Sequence, residues 1–139
     1  MADEPTFSNI DLPDTERFKW LAKELGVTTF GLNVMNLSPG QRGRIHRHRQ
    51  QEEVYIVLEG ELTLSIEGEE RALVERDVVR VPPPVRRQLI NRGSTTCSLL
   101  ALGGSQAHNS RDAEAFDGWS DTNGKSPSEV PTPEDLPLD

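Results

Sequence analysis

Two histidines two residues apart, His46 and His48, followed by Glu53, constrain this chain more than any other feature. Residues i and i+2 of a β-strand share a face, so both imidazoles point the same way. Glu53 opens the next run of strand-like residues, five positions after His48, with room for a short connection. If these strands line a barrel, two imidazoles and one carboxylate converge inside it. Such a nitrogen and oxygen donor set suits Fe, Mn, Ni or Zn. The chain has one cysteine, Cys97, which excludes an intramolecular disulfide and a cysteine-based zinc finger. Set in CSLLAL, it reads as a core residue.

The surrounding grammar is that of strands and turns. Short segments at 28–38, 43–49, 53–59, 61–66, 71–74, 77–82, 86–91 and 97–102 are separated by Gly40, Gly60, Gly68 and Gly93. This spacing predicts an all-β antiparallel sandwich or barrel. The stretch Ile66-Glu67-Gly68-Glu69 reads as a tight hairpin turn. Val54 to Leu58 is a continuous apolar run, as in a strand covered on both faces. Before the barrel, residues 1–27 hold an acidic lead-in and a short N-terminal helix over 14–25. Asp14 is its expected N-cap, Phe18, Leu21, Ala22 and Leu25 form one face, and Gly26 stops it. The barrel is expected over residues 28–104. From 105 to 139 the periodicity fades, and Pro127, Pro131, Pro133 and Pro137 argue against a regular closing element. Phe116 and Trp119 are placed to anchor this irregular extension, and the stretch beyond Asp121 is expected to be mobile.

Charge narrows the partners. The 139 residues carry 15 bases and 23 acids, a formal net charge of −8. That balance speaks against nucleic acid as a main partner, since phosphate neutralisation needs a basic face. Arg42, Arg44, Arg47 and Arg49 do form a local basic patch, with few aromatics to stack bases. A solvated strand face or a salt-bridge network explains it more simply. The acidity is largely a tail: from residue 110 onward there are eight acids and two bases. The longest apolar run has five residues, against roughly 20 for a membrane span. Without a membrane segment or a signal-like stretch, a cytoplasmic protein is expected.

Residues 40–60, GQRGRIHRHRQQEEVYIVLEG, resemble the first motif of the cupin family, G-x5-H-x-H-x3,4-E-x6-G. Gly40, His46, His48, Glu53 and Gly60 fill every fixed position. The resemblance implies a small jelly-roll barrel over residues 28–103, with His46, His48 and Glu53 binding a divalent metal inside it. It also implies a homodimer. The second family motif, G-x5-P-x-G-x2-H-x3-N, falls on residues 76–91, where Pro82 and Asn91 fit. Arg76 and Pro84 stand in place of its glycines, and Arg87 in place of the histidine that is the family's fourth metal ligand. A shift of one residue would put Gln88 there instead.

Arginine stays protonated and is no ordinary metal ligand. Arg87 in the cavity would repel a divalent ion, pair with Glu53 in the metal's stead, or grip the carboxylate or phosphate of a small ligand. The leading expectation is a small-molecule-binding barrel that uses a divalent metal, with Arg87 orienting an anionic ligand. The alternatives are a metal-dependent enzyme (an oxygenase, isomerase or cyclase) and a metal-free structural dimerisation barrel. The fold hosts all of these and selects none.

Overall fold

The computed structural model describes residues 3–104 and 112–138. His108, the third histidine, lies outside them. The strands are β1 (Phe18–Lys19), β2 (Phe30–Leu37), β3 (Ile45–His48), β4 (Glu52–Glu59), β5 (Leu62–Ile66), β6 (Glu69–Leu73), β7 (Val78–Val81), β8 (Arg87–Ile90), β9 (Cys97–Gly104) and β10 (Ala113–Phe116). One short helix, α1 (Leu21–Leu25), precedes β2. All pairings are antiparallel, and two five-stranded sheets result, in the orders β1-β2-β9-β4-β7 and β10-β3-β8-β5-β6. Their inner faces enclose a core of Leu37, Tyr55, Val57, Leu62, Leu64, Val81, Leu89, Cys97 and Leu99. This is the jelly-roll barrel expected from the sequence. Among the described residues no helix is long and apolar enough to cross a membrane.

The eight expected strands are all present, and the hairpin closes with Ile66 opposite Glu69. Alternation is strict in β9, where every second residue from Cys97 is buried. In β4 the residues Tyr55 and Val57 are buried, while Val54, Ile56 and Leu58 are only half-buried. The apolar run therefore belongs to a strand with one closed and one half-open face, not to one covered on both sides. Two turns need glycine. Gly40 (φ +85°) and Gly60 (φ +74°) are both left-handed. An added Cβ would stand 2.8 Å from the Leu136 carbonyl oxygen at the first and 2.5 Å from that of Thr96 at the second.

Both chain ends differ from expectation. The helix begins at Leu21 rather than near residue 14, and Trp20, not Asp14, occupies its N-cap without a side-chain cap. The cause lies in β2: the buried Asn36 amide donates to the carbonyls of Leu12, Pro13 and Glu16, and its backbone N–H to that of Arg17. That network draws residues 12–17 along the sheet, so Phe18 continues as strand β1 opposite Met35. Gly26 does end the helix, in the left-handed conformation.

The C-terminal extension is seated on the barrel, not free of it. Its strand β10 pairs with β3, placing Phe116 opposite Ile45. Beyond Asp121, Val130 is buried and the Leu136 N–H donates to the Gly40 carbonyl. The prolines exclude a long strand there but not packing. This layer explains why all four residues of β8 are buried: the inner face meets the core, and the extension covers the outer. It also absorbs the basic patch. Arg47 and Arg49 both pair with Glu114, while Arg42 and Arg44 donate to the carbonyls of Glu134 and Val130. Part of the acidic tail thus neutralises the barrel's own arginines.

Candidate metal centre

Strands β3 and β4 lie in opposite sheets, and the barrel interior brings their inward residues together. His46 and His48 project from β3, and Glu53 from β4 on the face it shares with Tyr55. Glu53 Oε1 lies 3.5 Å from His46 Nε2 and 3.2 Å from His48 Nε2. One donor atom from each residue falls within 4.8 Å of the others. The sequence pattern placed these three residues in one site, and the fold assembles them there. Both nitrogens of the buried His48 lack a hydrogen-bond partner, so its approach to Glu53 is close but off-axis for a hydrogen bond. A buried imidazole with unused lone pair and N–H is costly unless something else completes it, which fits a metal ion.

Glu53 is held ionised. Burial pushes its pKa upward, but the interactions with His46 and His48 outweigh that and leave it well below the ordinary carboxylate value. The Tyr55 hydroxyl donates to the same Oε1 at 2.5 Å. Burial, and then the Glu53 charge, push the Tyr55 hydroxyl well above its usual pKa, so it remains a donor. Tyr55 was not singled out as a site residue from sequence. Its signal was parity: residues 53, 55 and 57 share the inner face of β4.

Strand parity also settles which residue of β8 turns inward. Arg87 does, opposite His46, and Gln88 points outward to donate to the Gly43 carbonyl. Arg87 is completely buried, with Nη2 3.4 Å and 3.0 Å from the carbonyls of Val81 and Pro82. Its Nε is 3.8 Å from Glu53 Oε1, a loose ion pair, and Nε and Nη1 have no hydrogen-bond partner. The guanidinium is thus held beside Glu53 in the barrel interior. Asn91, the other anchor of the second motif, is structural, its amide donating to the carbonyls of Leu37 and Thr95.

One further neighbour comes from the extension. Asp112 Oδ2 lies 3.8 Å from His48 Nδ1, at ion-pair range, and its carboxylate accepts the backbone N–H groups of Gln50 and Gln51. Burial raises the Asp112 pKa, but those two N–H groups and the charge of His48 bring it below its usual value. Nothing in the sequence marked this residue among the tail acids. A depressed folded pKa means that its stabilisation is present above the unfolded pKa near 3.9 and is lost as pH falls through the folded value. Asp112→Asn is expected to cost about 1.5–3 kcal/mol at pH 7. In urea unfolding at a series of pH values, that gap should close below about pH 4. A gap that is independent of pH would show that the carboxylate charge is not what holds the 49–51 turn.

The cluster opens into a cavity of about 470 Å³. Its lining includes the apolar Met35, Leu37, Leu89 and Ala101, the half-buried Arg17 and Arg44, and the extension residues Pro127 and Thr132. A second hollow reaches His48 and Glu53 past Phe18, Trp20 and Phe30.

Known proteins bear on this geometry. Among the solved structures it resembles, a sugar phosphate isomerase from a cupin superfamily, of Silicibacter pomeroyi, is 28% identical with a TM-score of 0.65. That match covers 73% of this chain and 65% of the other, so the chain spans just under two thirds of that protein's length. A Cupin 2 conserved barrel domain protein from Salinispora arenicola is 26% identical with a TM-score of 0.59, over 70% of this chain and 82% of the other. The Cupin_2 domain of an XRE family transcriptional regulator from Enterobacter cloacae is 25% identical with a TM-score of 0.57, over 63% of this chain and 93% of that domain. No curated protein matches the sequence. The family model described as a Cupin domain matches residues 33–103, just over half of the chain, with all of β3 to β8 and β9 up to Gly103. With its barrel, its five-position motif and that match, this chain belongs to the cupin family.

Proposed function

We propose that this barrel holds a divalent metal through His46, His48 and Glu53 and presents it to a small molecule entering the cavity. The observation that carries the reading is the convergence of three donor atoms within 4.8 Å, one of them on a buried histidine whose ring nitrogens have no hydrogen-bond partner. Two imidazoles and a carboxylate supply three positions and leave others for ligand or water, as Fe, Mn, Ni and Zn accept. A metal there would act as a Lewis acid on an oxygen of the bound molecule. Tyr55 fixes the orientation of Glu53, and Asp112 lies behind His48. The cavity volume is that of an ordinary small-molecule site.

Calorimetric titration with Mn2+ and Zn2+ tests the reading. Glu53→Gln keeps the shape and the acceptor for Tyr55 while removing the charge, and is expected to weaken binding by about tenfold or more. Equal affinity in the variant would overturn it. Isomerase chemistry on a phosphorylated sugar is a second reading, favoured by the similarity to the Silicibacter pomeroyi protein. It uses the same cavity and is separated from binding alone by turnover. The homodimer has support in the outer face of the first sheet, where Val54, Ile56, Leu100 and Leu102 are half-exposed and Val78 is exposed. Light scattering of the purified chain decides it.

A further inference from the structure

Among the described residues Arg47, Arg49, Arg80, Arg86, Arg87 and Arg92 each have a carboxylate within ion-pair distance. Arg17, Arg42, Arg44, Arg71 and Arg76 have none there, and of these five Arg17 and Arg44 line the cavity. Both are half-buried, and they line the same cavity as His46, His48 and Glu53.

Neither side chain is loose. Arg17 Nη2 donates to the Arg42 carbonyl at 2.8 Å, and Arg44 Nε donates to the Val130 carbonyl at 2.8 Å. Each guanidinium is thus fixed by one bond and keeps its remaining N–H groups without a partner among the described residues. The anchor of Arg17 lies two residues before Arg44 in the chain, and both side chains line the same cavity. Among the described residues Glu53 is the one acid lining this cavity, and it already faces His46, His48, Tyr55 and Arg87. The cavity is therefore cationic, and a metal on the cluster would add two further positive charges. A cleft of one sign with apolar walls concentrates the opposite ion, and pre-oriented guanidinium forks bind oxyanions in pairs of hydrogen bonds.

We propose that Arg17 and Arg44 form an oxyanion subsite in the cavity. It takes the phosphate or carboxylate of a small organic anion whose other end reaches His46, His48 and Glu53. The proposal rests on and deepens the reading of the cavity as a ligand site, and it adds Arg17 and Arg44 to the residues that recognise an anion there. Neither belongs to the five-position motif. Arg17 comes from the lead-in that Asn36 ties to β2, and Arg44 is steadied by the C-terminal extension.

The full-length protein is titrated with glucose 6-phosphate, malonate and glucose, followed by calorimetry, first as purified and then after chelator treatment. Binding of at least one anion, tighter than glucose, is expected in both states. The preferred anion identifies the oxyanion as phosphate or carboxylate. Arg17→Gln and Arg44→Gln should each weaken it by about tenfold or more, and Arg44→Lys, which keeps charge but not the fork, by less. Arg71→Gln, at an exposed arginine of β6, should leave it unchanged, and thermal melts confirm that each variant is folded. Equal loss in Arg71→Gln, no loss in the other two glutamine variants, or no anion binding up to about 10 mM overturns the proposal. Loss of metal uptake alone, with anion binding by the chelated protein retained, would count against the metal reading and not against this one.

Discussion

Replacing Arg87 with histidine is expected to raise the affinity of the cluster for Zn2+ by about three orders of magnitude. The guanidinium is fully buried, with Nε 3.8 Å from the Glu53 oxygen that a metal would share. At about 6 Å and an effective dielectric near 20, one positive charge opposes a divalent ion by about 5 kcal/mol, or a few thousandfold in affinity. Arg87→His removes that charge and places an imidazole where the family motif has one. Arg87→Met separates the two contributions, since it removes charge without adding a ligand. Competition titration against a chelator of known affinity reads both variants. If neither binds metal more tightly than the wild type, Arg87 is not the obstacle. The loose ion pair with Glu53 would then be a neutral structural feature.

Phe116→Ala should have the largest effect on stability. The side chain is buried on the extension strand β10, opposite Ile45 of β3, with the guanidinium groups of Arg47 and Arg86 5.1 Å and 5.4 Å from its ring centre. Truncating such a side chain costs about 3 to 5 kcal/mol, a fall in Tm on the order of 10 °C for a domain of this size. Because β10 is the edge partner of β3, the loss should also loosen the strand that carries His46 and His48. Were the extension merely a solvated acidic tail, the cost in urea unfolding would stay within about 0.5 kcal/mol.

What was legible in the sequence follows the range of the forces involved. Strands β2 to β9 are written locally, in alternation and in glycines such as Gly40 and Gly60 that only certain turns require. The three residues of the candidate metal centre were also local, because H-x-H parity and a short connection suffice to aim them at one point. Arg87 was placed correctly on β8 by its distance from Pro82 and Asn91. Its side chain is held by the nearby carbonyls of Val81 and Pro82. The ends were misread because long-range contacts decide them. Helical spacing from Phe18 to Leu25 lost to the three bonds of Asn36, twenty or more residues away. Strand β10 exists because it completes an edge of β3, and the role of Asp112 because that strand carries it beside His48. Tyr55 was hidden in an apolar run whose parity, taken from Glu53, would have shown it.

The central claim is that His46, His48 and Glu53 hold a divalent metal although Arg87 is held beside Glu53. Elemental analysis of the chain purified without an affinity tag, from cells supplied with Fe, Mn, Ni and Zn, tests it most directly. The account predicts about one transition-metal ion per chain, with Arg87 lowering but not abolishing occupancy, and none in a His46→Ala/His48→Ala double variant. A folded wild-type protein that emerges free of metal, and stays so on later addition of each ion, would contradict it.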